Sequence, residues 1–174
     1  DGITPAQITA AYESLKKASD ALIPNTQANA SVLYEAMRDS EKFDSTFSYN
    51  AENLQTFNEK KTDAKNLLET LFNAGTATAA NVPDKQKEIE SLAAALRDSY
   101  RDDKMAAELH TQEELANFLT KAVSGMKGML QNDITLTGYN SVSTFNGILD
   151  GNGHAVIVES GYKGLMGVNN GTIY

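Results

Sequence analysis

The sequence has no cysteine and no tryptophan, only three prolines, and only two histidines, at positions 110 and 154. Without cysteine there is no disulfide framework and no thiolate zinc site. Compartment is left open by that absence, since many wall proteins of Gram-positive bacteria also lack cysteine. There is no cluster of Lys and Arg: 15 basic residues face 23 acidic ones, for a net charge of −8. So acidic a chain is not expected to bind nucleic acid or an anionic membrane surface. No apolar run approaches the ~20 residues needed to cross a bilayer, so no membrane insertion is expected. Gly-x-Ser-x-Gly, a phosphate-binding Walker loop, His-Glu-x-x-His and the dinucleotide fingerprint are all missing.

What is present is a folding chain. Hydrophobic residues make up 41% of 174 positions, enough for one domain or two small ones. Starting at Asp1 and not at Met is expected of a processed form or an expressed fragment whose targeting segment has been removed.

The composition changes near residue 132. Before it Ala, Leu, Lys and Glu dominate; after it come Gly, Asn, Thr, Ile and Val, with Asp133, Asp150, Glu159 and Lys163 as the only charges. The first part reads at helical period and the second at strand period. A first helix is expected from Thr4-Pro5-Ala6-Gln7, with the stripe Ile8, Ala11, Tyr12, Leu15, Ala18 and Leu22, ending at Pro24-Asn25. A second is expected over about 28–43, on Val32, Leu33, Ala36, Met37, Ser40 and Phe43. Asn50 caps a third, on Leu54, Phe57, Lys61, Ala64, Leu67, Leu68 and Leu71, with the Lys61 stem buried and its amine in water. The stretch Asn73 to Val82 reads as a loop. Pro83 opens a fourth helix, on Ile89, Leu92, Ala93, Leu96 and Tyr100, which frays or continues through residues 101–104. Thr111-Gln112-Glu113-Glu114 is a capping box for a fifth, which Gly125 and Gly128 end. Strands are expected at Ile134–Leu136, Phe145–Leu149, Ala155–Val158 and Leu165–Val168, each with alternating apolar residues able to stack inward.

Two resemblances follow from these residues. Residues 31–104 resemble the FIVAR module: the step Phe47-Ser48-Tyr49-Asn50, the long helix with Leu54, Phe57, Ala64 and Leu67, the small-residue loop 75–81, and a last helix with Ile89, Leu92, Ala95 and Leu96. The family usually has a Tyr-Thr step and often a Trp, where this chain has Tyr49-Asn50 and no Trp. That resemblance implies a three-helix bundle serving as spacer or adhesive module. Residues 111–174 resemble the GLUG-type repeat of bacterial surface proteins. Phe145, Gly147, Asp150, Gly151, Asn152, Gly153 and His154 are followed by Gly164, Leu165 and Gly167, then by Gly171 and Ile173. The resemblance implies a right-handed β-solenoid. Together they imply an α+β chain: an N-terminal antiparallel helical bundle over 1–106, then a helix and the first coils of a right-handed β-solenoid over 107–174. The solenoid is expected to be cut off inside a repeat, with an edge open to self-association.

Chemical candidates are few. His154 stands near Asp150 and Asn152, which invites a catalytic or metal site, but Asp-Gly-Asn-Gly is foremost a turn. A calcium loop needs a carboxylate at its twelfth position, where this chain has Gly161. His110 precedes a helix cap with no ligand-like neighbour at helical spacing. Glu113-Glu114 and Asp102-Asp103 are adjacent pairs, which do not face one another as a glycosidase pair does. Tyr34, Tyr49 and Tyr100 form either a sugar-binding patch or, as their spacing favours, interhelical packing. The expectation is therefore a non-enzymatic module without catalytic residues, cofactor or metal. It belongs to a secreted or cell-wall-attached bacterial surface protein and acts as a spacer and adhesion scaffold. Its expected partners are host or cell-wall glycans or matrix proteins. The alternative is an accessory region of a secreted glycosidase or wall-bound peptidase whose catalytic domain lies outside these residues. A polysaccharide-cleaving β-helix would need charge clustered on one face, which the second half lacks.

Overall fold

The computed structural model describes residue 13 and residues 28–43, 47–74, 82–159 and 164–174. The expected first helix, the loop 75–81, and Gly161 and Lys163 lie outside the described residues. Among the described residues the chain is α+β, with three α-helices, then a short strand, a fourth helix and seven further short parallel strands.

Helix α1 (Ser31–Ser40) buries Leu33, Ala36 and Ser40, the spacing of a single helical face. A 3-10 turn over Glu41–Phe43 then delivers the Phe43 ring into the core. Helix α2 (Ala51–Ala74) is started by Asn50, whose side chain accepts the Asn53 N–H at 3.2 Å. Its buried face is Phe57, Ala64, Leu67 and Leu68. It runs through Asn73 and Ala74, which the sequence suggests as loop. Helix α3 (Val82–Tyr100) packs on both α1 and α2 through Ile89, Ala93 and Leu96. Phe43, Phe57 and Tyr100 meet at one end, with ring centroids 5.4 to 6.4 Å apart, where edge contacts add to simple burial. Lys61 lays its ammonium 5.6 Å from the Phe57 ring.

Helix α3 stops at Tyr100 and does not continue through residues 101–104; a turn with Asp102 at φ 55° reverses the chain. Strand grammar begins at once, some 25 residues before the compositional change. Strand β1 (Ala107–Leu109) is bridged antiparallel by Tyr49, and the Glu108 N–H donates to the Ser48 carbonyl at 2.8 Å. The segment between α1 and α2 is thereby joined to the sheet.

After β1 comes helix α4 (Gln112–Lys121), then β2 (Lys127–Leu130), β3 (Ile134–Leu136), β4 (Val142–Phe145), β5 (Ile148–Asp150), β6 (Val156–Val158), β7 (Met166–Asn169) and β8 (Thr172–Ile173). They form three parallel ladders: β1-β2-β5-β8, β3-β6 and β4-β7. The chain visits the three in turn and returns to the first: Lys127 pairs with Ile148, Ile134 with Val156, Val142 with Met166, and Ile148 with Thr172. This register stacks Leu149 against Gly128, Val156 against Ile134 and Val158 against Leu136. Where one strand over 145–149 was expected there are two, on different ladders, separated by the Asn146-Gly147 corner. Gly128 lies inside β2 and not at the end of a helix; α4 ends at Lys121.

Helix α4 covers one end of these ladders. Leu115, Phe118 and Leu119 are buried against β1, β3 and β4. The Phe118 ring lies between Phe47 at 5.3 Å and Phe145 at 6.1 Å, so one side chain joins the helical half to the strands. Gly128 is required beneath it: a Cβ there would lie 2.7 Å from that ring. Phe118→Ala is expected to lower unfolding stability by about 3–5 kcal/mol. Gly128→Ala is expected to cost about 1–3 kcal/mol through overpacking. Urea unfolding followed by circular dichroism measures both.

Candidate functional site

One polar cluster is the corner after β5, formed by Asp150, Gly151, Asn152, Gly153 and His154. The backbone needs left-handed residues here: Asn152 has φ 48° and Gly153 φ 79°, conformations that Asn and Gly adopt most readily. One Asp150 oxygen accepts the Asn152 N–H at 2.8 Å, and the His154 N–H donates to the Gly151 carbonyl at 2.7 Å. The Asn152 amide donates across the ladder to the Leu130 carbonyl at 3.1 Å. These are the bonds of a turn.

The other Asp150 oxygen lies 2.8 Å from the Lys127 ammonium, which also donates to Asp103 at 2.7 Å. Lys127 further lies 5.3 Å from the Tyr174 ring. Burial alone would depress the lysine pKa. The hydrogen bonds with Asp103, Asp150 and Tyr174 outweigh it and hold the ammonium above the ordinary lysine range. Lys127 in turn, through its hydrogen bond, holds the Asp150 carboxyl below the ordinary carboxylate range against the opposing effect of burial. Asp150 is thus committed to a turn and a cation, and the partner of His154 is a different acid. His154 Nδ1 lies 3.5 Å from Asp133, which also accepts the Ala155 N–H at 2.9 Å. Among the described residues no group of three or more His, Asp or Glu side chains could hold a metal ion.

The remaining motif residues are spread through the ladders. Phe145 is fully buried against Phe118. A Cβ on Gly147 would meet Ala122 and Phe145, and one on Gly171 would collide with the Gly147 carbonyl, so both glycines permit close stacking at one corner. Beside them Asn170 donates to Asn146 at 3.4 Å. Gly164 has φ 125°, its carbonyl takes the Ser141 hydroxyl, and the Leu165 carbonyl takes the Tyr139 hydroxyl at 2.8 Å. Gly167 sits against the Ser143 backbone. Ile173 is exposed.

A second cluster lies at the start of α4. The Thr111–Glu114 capping box is formed: Thr111 accepts the Glu114 N–H at 3.2 Å, and Glu114 accepts the Thr111 N–H at 3.0 Å. Glu114 also takes the His110 N–H at 2.8 Å and the Ser48 hydroxyl at 3.2 Å. Burial opposes ionisation of Glu114, but the donors from His110, Ser48 and Thr111 prevail and lower its pKa. The sequence suggests no ligand-like neighbour for His110, yet its ring lies 3.7 Å from Glu114, four residues on. The carboxylate, and not the imidazole, faces the Ser48 hydroxyl. This reverses the order in which a serine nucleophile is activated, where the base touches the hydroxyl. Of the three tyrosines, Tyr49 is buried and Tyr100 packs in the aromatic cluster, while Tyr34 is exposed and joins neither.

Lys127 and Tyr174 were not singled out from the sequence, and Asp103 and Asp133 were named there without being placed at this corner. The available signal was the spacing between ladder partners, which puts Met129 opposite Asp150 and Lys127 two residues from Met129, on the same face of the strand.

Stability should therefore depend on pH in a defined way. Asp150 has a lowered pKa, so its contribution is present above its unfolded value of ~4 and lost as pH falls through the folded value. Lys127 has a raised pKa, so its contribution is present below ~10.4 and lost as pH rises through the folded value. Between these limits Lys127→Met is expected to cost about 1.5–3 kcal/mol, the range for a hydrogen bond to a charged group. The Asp103 contact adds little, since that carboxylate is largely exposed. Denaturant unfolding at pH 7 and pH 2 tests this, with the difference from wild type shrinking at pH 2.

Compared with known proteins, the chain matches no family model, no curated protein and no solved structure.

Proposed function

We propose that this chain is a non-catalytic module of a secreted or wall-attached bacterial surface protein. In this reading a FIVAR-like helical spacer leads into the first coils of a right-handed, GLUG-like β-solenoid that presents a binding surface. The observation that carries the reading is the ladder order, in which three short parallel strands recur in sequence and stack on their counterparts. Such coils form a rigid rod that grows by repetition, with its outward columns available to a ligand. The junction supports the spacer role. The Tyr49–Ala107 bridge and the Phe47–Phe118 contact join the segment between α1 and α2 to β1 and α4, and the Lys127–Asp103 ion pair ties β2 to the turn after α3. A load on one half would pass to the other through backbone hydrogen bonds and packed rings. Among the described residues no helix is long and apolar enough to cross a membrane, which accords with attachment by other means.

The second ladder offers the binding surface. Thr135 and Ile157 pair across it, and both are exposed. The partner class is a glycan or a matrix protein. The test is binding of the whole chain to arrays of glycans and extracellular-matrix proteins, beside a Thr135→Glu, Ile157→Glu variant. Specific binding by the chain that falls at least tenfold in the variant is the expected result. Failure of the chain to bind any arrayed ligand would remove the adhesive role.

A further inference from the structure

Strand β1 is the outermost strand of its ladder, and β2 pairs with it on one side in parallel register. A strand in that position offers its other edge to any chain it meets, unless charge, proline or a covering segment prevents it. The run Met105–Leu109 contains no proline and a single charge, Glu108. Met105, Ala106, Ala107 and Leu109 are buried. The composition of β1 therefore does not protect its edge.

The cover comes from the helical half. Residues 47–50, between α1 and α2, run antiparallel to β1, with Tyr49 bridging Ala107. The Glu108 N–H, turned away from β2, donates to the Ser48 carbonyl at 2.8 Å, while the Leu109 carbonyl accepts the Gln131 N–H on the β2 side. Among the described residues this segment is the backbone partner on the outer edge of β1.

Side chains pin it there. Phe47 and Ser48 both reach α4: the ring lies 5.3 Å from Phe118, and the hydroxyl donates to Glu114 at 3.2 Å. Glu114 and Phe118 are four residues apart, on one face of that helix. The same Glu114 carboxylate takes the N–H groups of His110 and Thr111, which follow β1. Tyr49 is buried, with its ring edge-on to Phe47 at 6.5 Å. The segment also ends at once: Asn50 accepts the Asn53 N–H and α2 begins at Ala51, so no long second edge is presented. An antiparallel partner this short does not propagate the parallel order of the ladder.

We propose that residues 47–50 are an edge guard, through which the helical half closes the first ladder at β1 and prevents association through that strand. The helices then do more than set distance: they supply the strand that ends the sheet. Terminal units that block further stacking keep stacked folds soluble. This role goes beyond the spacer and adhesion reading and involves no ligand.

The test uses the whole chain beside a Phe47→Ser, Tyr49→Ser variant, which removes the rings that pin the segment and leaves Asn50, β1 and α4 unchanged. Circular dichroism reports folding, sedimentation equilibrium reports self-association, and amide hydrogen exchange reports the state of Glu108. In the wild type the Glu108 amide is expected to be as protected as the amides within β2. The variant is expected to fold, to expose that amide when dilute, and to self-associate roughly tenfold more tightly than the wild type. Its Glu108 amide should then slow as concentration rises, which places the contact on β1. A freely exchanging Glu108 amide in the wild type would overturn the proposal. So would a folded variant that associates no more than the wild type, or one that associates while that amide stays fast. An unfolded variant would overturn it too, by making residues 47–50 part of the core and not a guard. Binding to arrayed glycans or matrix proteins plays no part in these readouts, so their outcome is separate from that of the adhesive reading.

Discussion

The packing of the Phe118 ring between Phe47 and Phe145 is the contact on which the rest of the structure depends. Short parallel strands cannot stand alone, because each buries its inner face only against the coil before and the coil after. Ahead of β2, β3 and β4 only β1 is a strand, and α4 lies where β3 and β4 have no strand before them. Phe118 fills the space a preceding coil would occupy, and Gly128 supplies the room by having no side chain. Leu130, Leu136, Phe145 and Leu149 can then be buried almost completely. Along β7 and β8, by contrast, Val168 and Ile173 are about half exposed among the described residues.

That arrangement explains why polar groups gather where they do. Each corner between ladders must satisfy backbone groups that no strand pairs, and small polar side chains do this locally. Asp150 serves Asn152, Asp133 serves Ala155, and Asn152 reaches back to Leu130. The carboxylates near His154 are consumed by these duties and by Lys127. In the structure the side chains of this cluster bracket neighbouring strands and turns. The same holds at the start of α4, where Glu114 is engaged by the amides of His110 and Thr111 and by the Ser48 hydroxyl.

The helical half was largely legible in advance. Stripes such as Leu33-Ala36-Ser40 and Ile89-Ala93-Leu96 are long enough for helical period to declare itself, and Asn50 and Thr111 mark their helices by chemistry that acts within one turn. Strands of three residues carry too few alternations for the same treatment. Ile134–Leu136 was identifiable because its apolar residues alternate between turn signals. β1 and β2 were missed because Ala, Glu, Leu, Lys and Met read equally well as helix, and α4 stands between them. The corner at Asn146-Gly147 was read through as strand because Phe145, Ile148 and Leu149 are all apolar; only the change of ladder separates them.

Local conformation was thus determined by the sequence itself: helices where apolar stripes recur with a cap, turns where Asn, Asp and Gly accept positive φ. Tertiary structure decided what pairs with what. The assignment of Asp150 to Lys127 and of His154 to Asp133 depends on neighbours about 20 residues distant along the chain, brought adjacent by ladder register. So does the exposure of Ile173 beside the burial of Leu149, two residues in equivalent positions. The physical reason is that a hydrogen-bonded ladder sets a long-range period through the backbone, whose N–H and C=O groups are the same at every residue. Side-chain pattern within a few residues records local preference, and carries only indirectly the register that places one coil on the next.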